Sequence, residues 1–82
     1  MSIYPNPVRN GIINLQLTEQ PPGTYGIRLL NKMGQVMLSK QINHTEGSST
    51  ETIQLDKYSP RGIYQLEVSG PDGNKVNMNV VY

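Results

Sequence analysis

Residues 60–68 read Pro60-Arg61-Gly62-Ile63-Tyr64-Gln65-Leu66-Glu67-Val68, and residues 21–29 read Pro21-Pro22-Gly23-Thr24-Tyr25-Gly26-Ile27-Arg28-Leu29. The two stretches share one grammar at a displacement of 39 residues: a proline, then a glycine, a tyrosine and two aliphatic residues at every second place. Successive side chains on a strand point to opposite faces, so this alternation marks a strand that buries one face and wets the other. The tyrosine falls on the buried register in both copies. There it can fill core volume while its hydroxyl reaches the rim and ties down neighbouring backbone. The same displacement carries Gly34 onto Gly73. Sandwich hairpins also converge on similar grammar, but on either origin the two copies are expected in equivalent places.

Outward from these stretches the alternation continues. Gly11–Leu17 places Ile13, Leu15 and Leu17 on one face, Val36–Ile42 places Val36, Leu38 and Ile42 inward with Lys40 a misfit, and Thr50–Leu55 places Ile53 and Leu55 inward. Ile63–Ser69 turns Tyr64, Leu66 and Val68 inward, and Lys75–Tyr82 does the same with Val76, Met78, Val80 and Tyr82. With Ser2–Tyr4 and Thr24–Leu29 the count is about seven short strands, and no segment carries helical spacing over three turns. Turn signals separate them at Pro5-Asn6-Pro7, Pro21-Pro22-Gly23, Met33-Gly34, Glu46–Ser49, Ser59–Gly62 and Gly70–Asn74. The last is the clearest hairpin connection, because Asp72-Gly73 supplies positive φ. The pattern predicts an all-β chain, an immunoglobulin-like antiparallel β-sandwich of about seven strands.

Composition narrows the function. Eighty-two residues make a single domain (1–82), and one of that size buries only about 60% of its unfolded surface, too little for a deep cleft beside a full core. Met1-Ser2 could be an expression start, which would make the chain a piece cut from a larger secreted protein. There is no cysteine, and the seven basic residues are scattered at a formal net charge of +1. That is unlike the clustered basic face a nucleic acid requires. No apolar run reaches the roughly 20 residues that span a bilayer, so no direct membrane insertion is expected.

Chemistry finds little purchase. His44, the only histidine, reads as an exposed loop residue without further metal ligands at useful spacing. Ser48 and Ser49 lack the third group of a nucleophilic site, and the carboxylates are dispersed. Gly70–Asn74 holds one carboxylate, too few for calcium. Asn43-His44-Thr45 fits a glycan-acceptor triplet of a kind common by chance. With no Trp or Phe, and Tyr25, Tyr64 and Tyr82 facing inward, Tyr4 and Tyr58 make poor material for a sugar-binding platform. No enzymatic activity, cofactor or metal is expected.

Four pieces stand in order along the chain: Tyr4-Pro5-Asn6-Pro7; a glycine-led strand; Leu30-Asn31-x-x-Gly34-Gln35-Val36; and Pro60-x-Gly62-Ile63-Tyr64-x-Leu66-x-Val68. In order and spacing, from Ile3 to about Val81, they resemble the C-terminal sorting domain of the bacterial type nine secretion system, carried by exported cargo of Bacteroidetes. The resemblance implies a seven-stranded immunoglobulin-like sandwich that catalyses nothing. It implies an address label for cargo that transits the periplasm to be secreted or held at the cell surface. The implied partners are the translocon, a cell-surface sortase that removes the label and anchors the cargo, and the cargo domain joined to its N-terminal side. Tyr4, Pro5, Asn6 and Pro7 match the opening motif, Gly34 and Gln35 the middle turn, Gly62, Ile63 and Tyr64 the late motif, and Lys75 the basic residue opening the last strand. Where many members carry further lysines at the end, this chain reads Asn77-Met78-Asn79-Val80-Val81-Tyr82. The rival reading is an accessory β-sandwich, a spacer or carbohydrate-binding module of a surface enzyme.

Overall fold

The computed structural model describes residues 1–82 except 46 and 56–58, and except the side chains of 5–7. Seven strands are formed among the described residues: β1 (Ser2–Arg9), β2 (Ile12–Leu17), β3 (Gly23–Leu30), β4 (Val36–His44), β5 (Ser49–Gln54), β6 (Ile63–Ser69) and β7 (Lys75–Val81). They make two antiparallel sheets, β1-β2-β5 and β4-β3-β6-β7. Lettered A to G, the sheets are ABE and DCFG. This is the immunoglobulin-like sandwich with its fourth strand carried on the second sheet.

Local chemistry closes the hairpins. β1 and β2 join through Asn10-Gly11, both at positive φ (56° and 69°), the backbone of the two-residue turn that matches strand twist. Between β3 and β4, Asn31 Oδ1 accepts from the Met33 and Gln35 amides at 3.0 and 2.9 Å. Gly34, at φ 82°, donates its amide to Asn31 O. Between β6 and β7 the construction recurs: Gly70 N donates to Asn74 O, Gly73 N to Gly70 O, and Gly73 stands at φ 87°.

The repeat is realised as a two-fold relation within the larger sheet. Arg28 faces Glu67 on the central pair β3–β6, with Ile27 opposite Val68 and Leu29 opposite Leu66. Each of these pairs is carried onto the other, or onto itself, by the 39-residue shift. The axis passes through the Arg28–Glu67 ion pair (3.0 Å) on the outer face. Tyr25 and Tyr64 therefore lie at opposite ends of the sandwich. Tyr25 donates its hydroxyl to Pro21 O at 2.6 Å and Tyr64 to Pro60 O at 2.5 Å, so each ring fills the core while its oxygen pins the chain four residues upstream. Each is met by a ring from the end of the adjacent hairpin strand: His44 edge-on to Tyr25 at 5.8 Å, and Tyr82 tilted against Tyr64 at 6.5 Å.

The alternation places the core as expected on β2, β3, β5 and β6, where Ile13, Leu15, Leu17, Tyr25, Ile27, Leu29, Ile53, Tyr64, Leu66 and Val68 are all buried, as is Leu55 just beyond β5. Burying one such aliphatic side chain contributes about 1.5–3 kcal/mol. The outer strands of the larger sheet depart from expectation. A four-stranded sheet overhangs a three-stranded one, so the inward face of β7 leaves Val76 exposed and Met78 half-buried, and that of β4 leaves Leu38 half-buried. Val36 is not on the inner face at all. Met37 is an extra residue between Leu29↔Leu38 and Leu30↔Val36, and this bulge turns Val36 onto the outer face.

Two more expectations are corrected. Pro5-Asn6-Pro7 is not a turn after a strand ending at Tyr4 but the middle of β1, whose pairing with β2 lapses between Tyr4 and Arg9. Proline brings no amide to the ladder, and β1 lies against β7 as well as β2. His44 is buried rather than an exposed loop residue. Gly47 O can only accept, so His44 Nε2 carries the ring proton to it at 3.0 Å, while Nδ1 meets the Ser49 hydroxyl at 2.9 Å. Lys40, the inward misfit, crosses the open side of the sandwich to Glu51 Oε1 (2.8 Å) and Thr52 O (3.4 Å) on β5. An inward charge at a sheet edge discourages pairing with other chains. Glu46 of the expected turn and Tyr58 lie outside the described residues.

Candidate recognition surface

Strand direction sorts the motif residues between the two ends of the sandwich. One end gathers the Asn10-Gly11 turn, the Asn31–Gln35 turn, the Pro60–Gly62 segment and Tyr82. Gly62 exchanges both backbone hydrogen bonds with Tyr82, at 3.1 and 2.9 Å. A Cβ on Gly11 would lie 3.8 Å from the Tyr82 hydroxyl. The other end gathers Pro21–Gly23, His44, Thr45, Gly47–Ser49 and the Gly70–Asn74 turn.

Gly34, Gln35, Gly62 and Ile63 thus come together at the first end, although 28 residues separate Gly34 from Gly62 in sequence. Gly34 and Gly62, at φ 82° and 155°, hold backbone geometry. No atom lies within 4 Å of a Cβ built on either, so neither is a site of close packing. Ile63 is 59% exposed, an apolar side chain on the wet face of β6. Tyr64 is buried, with its hydroxyl committed to Pro60 O, so its part is to hold the fold. Tyr4 is exposed on β1 opposite Asn14, whose side-chain amide donates to Tyr4 O at 3.2 Å. Pro5, Asn6 and Pro7 follow on the same strand. Lys75 does not join this group: it pairs with Ser69 at the far end.

Residues outside the candidate site positions complete the near end. Leu30 and Val81 lie on the outer face with Ile63, and the bulge brings Val36 beside Leu30. For Leu30 and Val81 the legible signal was an apolar residue on the polar register of a strand; Val36 carried none, since only the bulge turns it outward. Arg61 holds its guanidinium 5.6 Å from the centre of the Tyr82 ring. At the far end, burial first and the Asp72 carboxylate second push the Tyr25 phenol above its ordinary 10.0. No group of three or more metal-ligating side chains is assembled among the described residues.

Residues 2–81 match the family model described as the secretion system C-terminal sorting domain. The chain belongs to that family. No curated protein and no solved structure matches it. The family is one of non-catalytic type nine secretion sorting signals, borne by proteins that are secreted or attached to the cell surface. A sorting domain of this family is attached to cargo and interacts with the secretion machinery. The near end of this sorting domain, where two of its motifs meet although far apart in sequence, is its candidate surface for that contact.

Proposed function

We propose that the 82 residues form one domain, an address label borne by a larger exported protein. The label is read by the type nine translocon during outer-membrane passage and is then removed by a cell-surface sortase that anchors the cargo. Tyr4, Pro5, Asn6, Pro7, Gly34, Gln35, Gly62, Ile63, Tyr64 and Lys75 are the proposed motif residues. Gly34, Gly62 and Tyr64 shape the backbone, Gln35 and Ile63 present side chains, Tyr4 to Pro7 form the first strand, and Lys75 stands apart. The observation that carries this reading is the meeting of the middle and late motifs on one exposed end.

The test is a periplasm-directed fluorescent protein carrying residues 1–82 at its C-terminus, in a Bacteroidetes host with a working type nine system. Export of the fusion, its loss in a strain lacking the translocon, and release of the domain only when the sortase is present are the expected results. A folded fusion that stays in the periplasm of the competent strain would sink the sorting reading.

A further inference from the structure

The internal two-fold supplies a comparison within the molecule. Val36, Leu30, Ile63 and Val81 form a diagonal stripe across all four strands of the larger sheet, on its outer face at the near end. Leu30 pairs with Val36, Ile63 with Val81, and Gln65, the partner of Leu30, stands two residues from Ile63 on the same face. Diagonal neighbours of this kind lie about 7–8 Å apart, within reach of aliphatic side chains. Val36, Ile63 and Val81 are 47%, 59% and 41% exposed. In the turn beyond Leu30, Met33 is exposed too.

Apolar, β-branched residues suit strands even on a wet face, so the stripe could serve the sheet alone. The far end argues otherwise. The two-fold carries Leu30 onto Ser69, Val36 onto Lys75, Ile63 onto Thr24 and Val81 onto Asn43. The same strands in the same register are built there from polar residues, Thr24 donating to Asn43 across the β3–β4 pair at 3.0 Å. Met33 likewise answers to Asp72. The sheet does not need four apolar side chains at these positions, yet one end exposes three of them to water and leaves Leu30 half-buried.

Charge divides the same way. Arg9, Lys32 and Arg61 stand at the near end, and among the described residues no aspartate or glutamate side chain forms an ion pair with them. Glu51 and Glu67 are committed to Lys40 and Arg28, and Glu19 and Asp72 lie at the far end.

We propose that the stripe Val36–Leu30–Ile63–Val81, with the cations Lys32 and Arg61 at the same end of the sandwich, is the docking face of this sorting domain. Its occupant is a protein surface of the export machinery that offers apolar side chains flanked by carboxylates. The apolar stripe supplies the buried area, and the cations steer and orient the encounter. The proposal rests on the sorting reading and names the face through which it acts.

The experiment uses the same fluorescent fusion. One variant gives the stripe the residues of its two-fold mates: Leu30→Ser, Val36→Lys, Ile63→Thr and Val81→Asn. A second reverses charge at exposed positions, Lys32→Glu with Arg61→Glu, and a third conserves it, Lys32→Arg with Arg61→Lys. A cooperative thermal transition of each isolated domain reports folding, and the charge variants decide the matter if the stripe variant does not fold. Export should fall at least about tenfold in the first two, the effect of removing ~1.4 kcal/mol of recognition, and stay near the parent's level in the third. Export of folded stripe and charge-reversal variants within about twofold of the parent would overturn the proposal while leaving the sorting reading intact. A parent fusion that is not exported would overturn both. Stripe-dependent binding to phosphatidylglycerol vesicles would assign the face to a membrane, and stripe-dependent dimers in sedimentation would assign it to a second copy; either overturns the occupant named here.

Discussion

Removing the hydroxyls of Tyr25 and Tyr64 one at a time and together tests whether the two tyrosines are equal and independent anchors. Each hydroxyl makes one hydrogen bond to a proline carbonyl four residues upstream, at 2.6 and 2.5 Å. Replacing either tyrosine by phenylalanine keeps the buried ring and deletes that bond, which is worth about 1 kcal/mol. In a domain of this size 1 kcal/mol shifts Tm by roughly 4–8 °C. On the β3 axis Tyr64 stands level with position 31, six residues from Tyr25. At about 3.3 Å per residue the anchors are roughly 20 Å apart, so their losses should add within about 0.5 kcal/mol. Tyr25→Phe carries a further signature. The folded state holds the Tyr25 proton above 10.0, whereas the unfolded chain releases it at its ordinary value. The stability due to that hydroxyl is therefore fully present below pH 10 and is lost as pH rises towards the folded value. Urea denaturation of the parent, both single variants and the double variant, at neutral pH and between pH 9 and 11, reads all of this. Single losses below about 0.3 kcal/mol, a double far from the sum, or a parent-to-Tyr25→Phe difference that does not shrink above pH 10 would refute the account.

Three further outcomes follow from the same geometry. Gly23→Ala should destabilise more than Gly62→Ala, although the two are two-fold mates at φ 146° and 155°. A Cβ on Gly23 would lie 2.7 Å from Pro71 Cβ while one on Gly62 meets nothing within 4 Å, so Gly62→Ala should cost about 1 kcal/mol of backbone strain and Gly23→Ala at least about 1 kcal/mol more, by denaturant midpoints. His44→Ala removes a buried ring bonded to Ser49 and Gly47 and packed on Tyr25; it should cost about 2–3 kcal/mol, and a loss under 1 kcal/mol would contradict its place in the core. Lys40→Ile should change stability by less than about 1 kcal/mol, since its ion pair is partly exposed. The same change should raise aggregation on incubation, measured by light scattering, because it removes the inward charge from the open edge.

Period two in the sequence was enough to decide which residues of β2, β3, β5 and β6 face the core, because those strands lie opposite a second sheet along most of their length. The two inward tyrosines and the Asp72-Gly73 turn were legible for the same local reason. Asn10-Gly11 is an equally local turn signal, and it, rather than Pro5-Asn6-Pro7, joins β1 to β2. Other features needed the third dimension. Alternation says which way a side chain points but not whether anything covers it, so Val76 and Met78 overhang while His44, where β4 meets the return into β5, is enclosed. A single bulge residue, Met37, reverses the phase for Val36, and no local rule marks where a strand will absorb one. The repeat was visible as text. That it forms a two-fold sheet, in which Gly34 and Gly62 share an end, Lys75 lies at the other, and four apolar residues answer to four polar ones, is decided only by strand pairing, since pairing brings residues together by register across the sheet rather than by distance along the chain.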